Sequence, residues 1–306
     1  APKEERNQLV HLFAPESAYF NMSYYLKDEL RNVELSTAYR NFELLPVEKL
    51  ANKSIVTMRL PIGNGSIDHI YTIYNEQRPE RDYLVDFEVK LNDIAPMMAN
   101  QKSIAIEWRN RSYQNERSFK NENNYTTLAY HLPGESGVEN LGVSDGAKEE
   151  NIASSVDWVS FKQQFFSSAL IGRSNVLRQP QVSFVTAEPK SGYIKDFAMA
   201  ATVDYAPQTT KYDFSFYLGP NKFSTLKNLT DANGKVVWSQ DAYAFLDDYD
   251  AAPDTVNPSL WENTKNNHAY GLFEVCEGIY QVRGYDMSNL TVVKGDTGWI
   301  LFDPLM

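Results

Sequence analysis

Alternation of apolar and polar residues recurs over the first three quarters of the chain. Every second residue is apolar in residues 83–91, and residues 211–218 repeat the pattern with aromatic side chains on one face. Period-two alternation of this kind predicts strands with one buried face. The same pattern occurs in residues 66–74, 104–108, 125–132 and 183–186. The chain is therefore predicted to be mainly β.

Turn-forming residues separate the predicted strands, as at Gly63–Gly65 and Gly219–Pro220. Many short strands joined by polar loops favour a large antiparallel β-sandwich. Helices are predicted only at residues 224–229 and 260–268. The very polar residues 119–124 and 135–151 are predicted to form exposed loops.

Charge density changes near residue 230. Residues 230–306 contain 12 acidic and 4 basic residues, a net charge of −8, whereas residues 1–229 contain 28 acidic and 25 basic residues, a net charge of −3. Such a shift predicts a domain boundary. We therefore expect a sandwich domain over residues 1–229 and a small strand-rich segment over residues 230–306.

Composition excludes several classes of function. The 306 residues carry a net charge of −11, and a protein that binds duplex nucleic acid needs clustered basic residues to neutralise phosphates. No nucleic-acid partner is therefore expected. No run approaches the roughly 18 apolar residues that suggest a spanning helix, so no transmembrane span is predicted.

Candidate catalytic chemistry is sparse in the sequence. The single cysteine, Cys276, cannot form an internal disulfide and is predicted to be a buried structural thiol. The four histidines do not pair at metal-ligand spacing, and the sequence has no nucleophile-elbow, phosphate-loop or dinucleotide-binding motif. No catalytic residue, metal or other cofactor is predicted.

Three stretches of the chain resemble the periplasmic domain of the YidC membrane protein insertases. Residues 156–171 contain a tryptophan, paired glutamines and several aromatic residues in the order typical of that domain. Residues 214–227 are similar to the strand, Gly-Pro turn and helix that close it, and residues 71–91 look like its central pair of strands. The resemblance covers about residues 1–229.

Six residues mark these motifs and are the candidate contact residues: Trp158, Gln163, Gln164, Phe165, Gly219 and Pro220. Their functional interpretation is a contact surface, or a role in positioning the terminal helices. The alternative is structural, with Trp158 and Phe165 packed in the core and the glutamines making buried amide hydrogen bonds.

The resemblance implies a twisted supersandwich, finished by short helices, on the periplasmic face of the bacterial inner membrane. Proteins of this family insert and help fold membrane proteins, alone or beside the Sec translocon, through a groove between transmembrane helices. Because this chain has no such helices, the resemblance implies a non-catalytic accessory domain. Its partners would be membrane protein substrates or the translocon, and a sheet edge or groove would receive them.

The last quarter of the chain resembles the N-terminal part of the linear alkylsulfatases, chiefly in residues 234–246, 252–261 and 278–286. Those enzymes are hydrolases of the metallo-β-lactamase fold, with a pair of zinc ions. Asp303 matches the first motif of that fold, but the His-x-His-x-Asp-His ligand cluster is absent from the sequence. Zinc-dependent hydrolysis is expected only if that missing part is supplied.

Two alternatives to the insertase interpretation remain open. The chain can be a fragment of a zinc-dependent alkyl sulfatase, which zinc content and hydrolysis of dodecyl sulfate would reveal. It can also be a carbohydrate-binding β-sandwich, which paired exposed aromatic rings on one sheet face would favour.

Overall fold

The computed structural model describes residues 10–29, 31–75, 81–135, 137–221, 246, 251–268, 270–284 and 289–303. The chain divides into two compact units, which we call the sandwich unit (Ala1–Trp238) and the C-terminal unit (Ser239–Met306). The predicted boundary at residue 230 and the predicted helix at residues 224–229 lie outside the described residues, so both stay predictions.

The described part of the sandwich unit is almost entirely β-structure. Its strands are β1 (Tyr19–Lys27), β2 (Asn32–Ser36), β3 (Glu43–Leu44), β4 (Glu48–Lys49), β5 (Lys53–Ile62), β6 (Gly65–Tyr74), β7 (Leu84–Asn92), β8 (Ser103–Tyr113), β9 (Thr127–His131), β10 (Glu139–Asn140), β11 (Ala147–Asn151), β12 (Trp158–Lys162), β13 (Phe166–Gly172), β14 (Arg178–Thr186), β15 (Tyr193–Asp204) and β16 (Lys211–Pro220). One α-helix, α1 (Phe119–Tyr125), and three 3-10 turns (Pro15–Ser17, Thr37–Tyr39 and Ala95–Met97) complete it.

The strands form two large antiparallel sheets. Sheet A has six strands in the order β11-β14-β15-β8-β1-β2. Sheet B has ten strands in the order β10-β9-β12-β13-β16-β7-β6-β5-β3, and β4 also pairs with β5. The prediction of a large antiparallel β-sandwich is confirmed.

Aromatic side chains from both sheets pack together between them. Trp108 of sheet A stacks on Phe161 of sheet B with ring centroids 4.0 Å apart, and Phe161 also stacks on Phe197 of sheet A at 4.9 Å. Phe20 of sheet A meets Phe87 of sheet B edge-on at 5.1 Å. These buried rings belong to one continuous hydrophobic core, which is the main stabilising feature of such a sandwich.

In β7 the alternation in the sequence correctly predicted which residues face the main core. In β7 the alternate residues Phe87, Val89 and Leu91 are buried in the core. The hairpin between β5 and β6 turns at Gly63, whose positive φ of 56° glycine adopts without strain. The expectation that Gly219–Pro220 is a turn is wrong, because β16 continues through both residues and Pro220 pairs with Phe166.

The prediction of a loop at residues 119–124 is also wrong. These residues form α1, whose N-terminus is capped by Ser118, which accepts a hydrogen bond from the Asn121 N–H at 3.2 Å. Glu122 is 1% exposed and accepts hydrogen bonds from the backbone N–H groups of Asn115 and Glu116. The polar residues of this segment therefore satisfy backbone groups in the interior, which a hydropathy pattern does not reveal.

The segment predicted as a loop at residues 135–151 is partly strand, because it contains β10 and β11. Both are edge strands of the two sheets. Nearly all residues of these two strands are exposed, so their polar composition resembles that of a loop.

The described part of the C-terminal unit contains one helix and a four-stranded antiparallel meander. The helix is α2 (Pro258–His268) and the strands are β17 (Gly271–Cys276), β18 (Ile279–Arg283), β19 (Leu290–Lys294) and β20 (Trp299–Phe302). Asn257 caps α2 by accepting a hydrogen bond from the Ser259 N–H at 2.9 Å, and Pro258 follows in the first helical position. A helix was predicted in this region.

Within the described ranges, no helix is long and apolar enough to cross a membrane.

Candidate contact surface

Four of the six predicted contact residues lie on one hairpin. Trp158 is the first residue of β12, and Gln163, Gln164 and Phe165 form the connection between β12 and β13. The hairpin is closed by the Gln163 N–H, which donates to the Phe166 carbonyl at 2.8 Å. The motif that the sequence suggested is therefore a single local structure.

Gln163 ties the tip of this hairpin to the opposite sheet. Its side chain is 3% exposed, and its amide nitrogen donates to the backbone carbonyls of Tyr113 at 3.0 Å and Leu12 at 3.3 Å. Tyr113 is the last residue of β8 in sheet A. Gln163 therefore satisfies backbone groups between the sheets, which agrees with the structural alternative for this residue.

Asn221 fixes the same hairpin tip to the end of β16. Its amide nitrogen donates to the carbonyls of Gln163, Gln164 and Phe166 at 2.9, 3.3 and 3.2 Å, and its backbone N–H donates to the Phe165 carbonyl at 2.7 Å. Its Oδ1 accepts a hydrogen bond from the Ser167 hydroxyl at 2.7 Å. Sequence reasoning did not single out Asn221, although it follows Gly219–Pro220 directly.

Gly219 is required by the close approach of a neighbouring side chain. A Cβ at this position would lie 2.6 Å from both Cβ and Cγ of Tyr83. Tyr83 itself has a positive φ of 64° and accepts a hydrogen bond from the Leu218 N–H at 3.0 Å. The glycine therefore allows Tyr83 to pack against β16. Pro220 accepts a hydrogen bond from the Tyr217 hydroxyl at 2.6 Å.

Phe165 is exposed, in contrast to the structural alternative that packs it in the core. Its exposed fraction is 48%, and that of Tyr83 is 54%. The two aromatic residues flank the end of β16, because Asn221 bonds to Phe165 and Leu218 bonds to Tyr83. We call the group of Tyr83, Phe165, Gly219, Pro220 and Asn221 the β16 end.

Trp158 lies on the outer face of sheet B, away from the main core. It packs against the small second cluster around Ile171 and stacks on His131, with ring centroids 5.9 Å apart. His131 is held by Asp157 at 3.0 Å. The Trp158 Nε1 is buried and has no hydrogen-bond partner among the described residues. Trp158 is therefore partly buried against sheet B, outside the main core in which the structural alternative placed it.

A polar cavity of about 460 Å³ occupies another part of the outer face of sheet B. Its lining residues are Ile55, Ile70, Thr72, Arg81, Asp86, Phe87, Glu88, Arg173, Asp213 and Phe214.

Acidic and basic side chains pair within this cavity. Asp86 is paired with Arg81 and accepts a hydrogen bond from the Ser215 hydroxyl at 2.9 Å, and Ser215 in turn accepts from Arg173 Nε at 2.8 Å. The two lining aromatic residues, Phe87 and Phe214, are each 1% exposed. Neither offers a ring face on which a sugar can stack, so this cavity gives no support to the carbohydrate alternative.

Asp303 follows β20 directly and has a positive φ of 50°. Among the described residues, no group of three or more His, Cys, Asp or Glu side chains is arranged to hold a metal ion. In the described part of the chain, Asp303 is therefore not joined by the further ligands that a zinc site requires.

Comparison with known proteins finds similarity to two different families. The family described as the YidC periplasmic domain matches residues 2–239. The membrane protein insertase YidC of Bacteroides fragilis is 30% identical over 240 residues, which are 78% of this chain and 36% of that protein. The same insertase of Phocaeicola vulgatus is 34% identical over 183 residues, which are 58% of this chain and 28% of that protein.

A shorter match concerns a different class of protein. An (R)-specific secondary-alkylsulfatase of Pseudomonas is 53% identical over 77 residues, which are 25% of this chain and 12% of the enzyme. Both resemblances expected from the sequence are confirmed. The chain spans 12% to 36% of the lengths of these three relatives.

Proposed function

The chain belongs to the family of YidC periplasmic domains, and from this premise we propose that it is the non-catalytic extracytoplasmic domain of a YidC-type membrane protein insertase. It acts at the periplasmic face of a bacterial inner membrane, where it assists insertion and folding through contacts with membrane protein substrates or with the Sec translocon. The observation that carries this proposal is the family match over residues 2–239, which includes every described strand of the sandwich unit.

We assign the contact to the β16 end. Phe165 and Tyr83 are exposed aromatic residues, and aromatic residues are enriched where proteins bind one another. The backbone beside Phe165 is held by five hydrogen bonds of Asn221. A side chain on a fixed backbone loses less conformational entropy on binding than one on a mobile loop.

Site-specific photo-crosslinking tests this assignment in a working insertase. Residues 10–221 replace the corresponding periplasmic domain in the Bacteroides fragilis insertase, and a photoreactive phenylalanine analogue is placed at Phe165. We expect crosslinks to newly made inner-membrane proteins or to Sec subunits.

Tyr39 is the matched control, because it is an aromatic residue with an exposed fraction of 80% on another part of the sandwich unit. Crosslinks of equal yield from positions 39 and 165 would contradict the assignment to the β16 end. Complete absence of crosslinks to insertion substrates and Sec subunits from both positions, in a chimera that reaches the membrane, would contradict the proposed function.

The alkylsulfatase alternative is favoured by the 53% identity to an alkylsulfatase over 77 residues. It is tested by metal analysis of the purified chain and by hydrolysis of dodecyl sulfate. Stoichiometric zinc together with turnover would overturn the non-catalytic proposal. No zinc and no turnover are the expected results, because the ligand cluster is missing from the sequence.

A further inference from the structure

A groove lies where β7 ends and β16 begins. Its volume is about 380 Å³, and its lining residues come from two segments, residues 90–96 and residues 205–210. We call this site the β7 groove. Because β16 runs for ten residues from Lys211 to Pro220, the groove and the β16 end lie at opposite ends of this strand, roughly 30 Å apart. The groove is therefore separate from the contact surface assigned above.

Tyr205 lines the β7 groove with a hydroxyl that makes no hydrogen bond to a described residue. Five tyrosines of the described chain are at least nine-tenths buried, and Tyr205 is one of them. The other four each donate from the hydroxyl: Tyr24 to Met22 Sδ at 3.4 Å, Tyr130 to Glu150 at 3.0 Å, Tyr212 to the Asp204 carbonyl at 3.0 Å and Tyr217 to the Pro220 carbonyl at 2.6 Å. Buried hydroxyl groups in proteins are almost always paired, so the Tyr205 hydroxyl is placed to donate to a ligand in the groove.

The other walls of the β7 groove are largely apolar. Leu91 and Ile94 line it and are buried, whereas Pro96 and Pro207 line it from exposed positions, one on each of the two segments. A proline ring has a fixed φ, so its backbone loses little conformational entropy when a ligand binds. These walls suit an apolar group that contacts the hydrophobic residues between the two prolines.

Backbone hydrogen bonds hold the two segments in place. The Leu91 N–H donates to the Thr210 carbonyl at 2.7 Å and joins one segment to the other. Thr209 closes its own loop, because its N–H donates to the Ala206 carbonyl at 2.8 Å and its hydroxyl accepts from the Ala206 N–H at 3.1 Å. The opposite segment ends in the 3-10 turn Ala95–Met97. The groove is therefore already formed in the chain without a ligand, which reduces the cost of binding.

Charge and hydrogen bonding narrow the class of ligand. Lys90 and Asp93 are the charged residues of the lining, and their charges cancel. An uncharged occupant fits this lining, since a buried charge needs a partner of opposite sign. The occupant must also place an acceptor for the Tyr205 hydroxyl beside an apolar group. An extended peptide does so at every apolar residue, because a backbone carbonyl lies next to each side chain.

We propose that the β7 groove binds an extended peptide segment through one bulky apolar side chain, whose neighbouring carbonyl accepts a hydrogen bond from Tyr205. The volume lies at the lower end of the roughly 300–1,000 Å³ of ligand sites, which suits one such side chain with its peptide groups. The segment comes from a newly made membrane protein, and this part of the inference rests on the proposed function. The groove is a second substrate contact, in addition to the β16 end.

Methyl NMR of the full chain tests the groove without an insertion assay. The probe is the blocked peptide acetyl-Gly-Gly-Phe-Gly-Gly-amide, and the chain carries labelled isoleucine methyl groups. We expect the Ile94 signal to shift with a dissociation constant of roughly 0.1–1 mM, while the signal of Ile171, which packs in the second cluster, stays unchanged. The same peptide with glycine in place of phenylalanine should bind at least about tenfold more weakly, because it has no side chain to bury.

Three variants test the residues of the groove. Tyr205→Phe keeps the ring and removes the hydroxyl, so we expect the affinity for the phenylalanine peptide to fall roughly three- to tenfold. Tyr130→Phe is the matched control, because it removes the hydroxyl of another buried tyrosine, outside the groove, and should leave the affinity unchanged. Ala95→Trp, at an exposed position of the lining, should fill the groove and abolish binding.

Three NMR results would overturn the proposal: no shift of the Ile94 signal, equal binding of the two peptides, or equal affinity of Tyr205→Phe and the unmodified chain.

Photo-crosslinking in the insertase chimera tests the source of the segment separately. The photoreactive phenylalanine analogue is placed at Pro207, which is exposed and lines the groove. We expect crosslinks to newly made inner-membrane proteins, and Ala95→Trp should remove them. Crosslinks from position 165 but not from position 207 would overturn this inference and leave the proposed function intact. Crosslinks from position 207 alone would support the groove and contradict only the assignment of the contact to the β16 end.

Discussion

The two units of this chain place similar apolar strands in opposite surroundings. In the sandwich unit, two sheets cover each other and aromatic rings such as Phe87 and Phe161 are each 1% exposed. In the described part of the C-terminal unit, one meander presents apolar residues on both faces, and Phe302 is 55% exposed. Strands that are apolar on both faces are typical of sheets covered on both sides. The comparison shows that the sandwich unit contains its own core, whereas most residues of the described strands β17 and β20 are exposed.

The largest expected difference between the units comes from the same substitution in each. Phe87→Ala removes a ring that contacts Phe20, Tyr71 and Phe214, and we expect it to lower the free energy of unfolding of the sandwich unit by about 3–5 kcal/mol. Phe302→Ala, at an exposed position, should cost less than about 0.5 kcal/mol. Urea unfolding followed by circular dichroism measures both. Equal losses of free energy of unfolding for the two variants would contradict the difference in burial between the two units.

A buried lysine makes the free energy of unfolding of the sandwich unit depend on pH. Lys195 is fully buried in the sandwich unit, where its ammonium donates to Thr186 Oγ1 at 2.8 Å and to the Ser144 carbonyl at 3.1 Å, and also to Asn123 Oδ1. Burial lowers the pKa of Lys195 from 10.5 to about 8, against a smaller opposing effect of Asp145. Between these pH values the unfolded chain binds more protons than the folded one, so the free energy of unfolding increases with pH.

We therefore expect the sandwich unit to gain up to about 3 kcal/mol between pH 7.5 and 10 relative to Lys195→Met. Thermal or urea unfolding of both proteins across this range gives the difference in slope. The comparison with the variant cancels the contribution of buried tyrosines such as Tyr71, whose pKa burial raises to about 12. Parallel curves for the two proteins would show that Lys195 stays charged in the folded state.

A substitution at the β16 end is expected to reduce stability by an intermediate amount. Asn221→Asp removes the three hydrogen bonds that the amide nitrogen donates and places a charge near the carbonyls of Gln163, Gln164 and Phe166. We expect a loss of about 2–3 kcal/mol in the free energy of unfolding, with faster hydrogen exchange in the β12–β13 connection. Asn151→Asp, on the exposed edge strand β11, is the control and should change stability by less than about 0.5 kcal/mol. A similar, small effect at both positions would mean that Asn221 does not hold the hairpin.

The smallest effect is expected at Trp158. Trp158→Phe keeps a ring over His131 and removes a buried N–H that has no partner among the described residues. Since an unsatisfied buried donor is unfavourable, the substitution should change the free energy of unfolding by less than about 1 kcal/mol in either direction. A loss of several kcal/mol in urea unfolding would show that the indole nitrogen makes a contact that stabilises the outer face of sheet B.

Residue pattern alone predicted the main features of the sandwich unit. Alternation over β7 identified the strand and the face that packs against the opposite sheet. In β16 it identified the strand, but residues on both faces, such as Tyr212 and Tyr217, are buried. Polar residues that are buried in the interior could not be predicted from this alternation. Glu122 is buried where it accepts hydrogen bonds from the backbone just before α1, and Gln163 is buried where it donates to the end of β8, 50 residues away. Hydropathy shows neither, so the segment of α1 was interpreted as a loop.

Exposure in the C-terminal unit was decided only by tertiary structure. Cys276 was predicted to be buried, and this is wrong: it is exposed, because the sheet that carries it is not covered by described residues on either face. The apolar pattern of β17 to β20 predicts strands but not what covers them.

At the β16 end, the sequence determined the motif residues and the resemblance that identified them. The tertiary structure decided that Phe165 remains exposed there, while on the adjoining β12–β13 hairpin Gln163 is buried and Trp158 packs against sheet B. Those differences depend on where the neighbouring strands lie. A hydropathy pattern describes each residue along the chain, whereas burial depends on the partner strand, the opposite sheet and the hydrogen bonds that residues distant in sequence bring together.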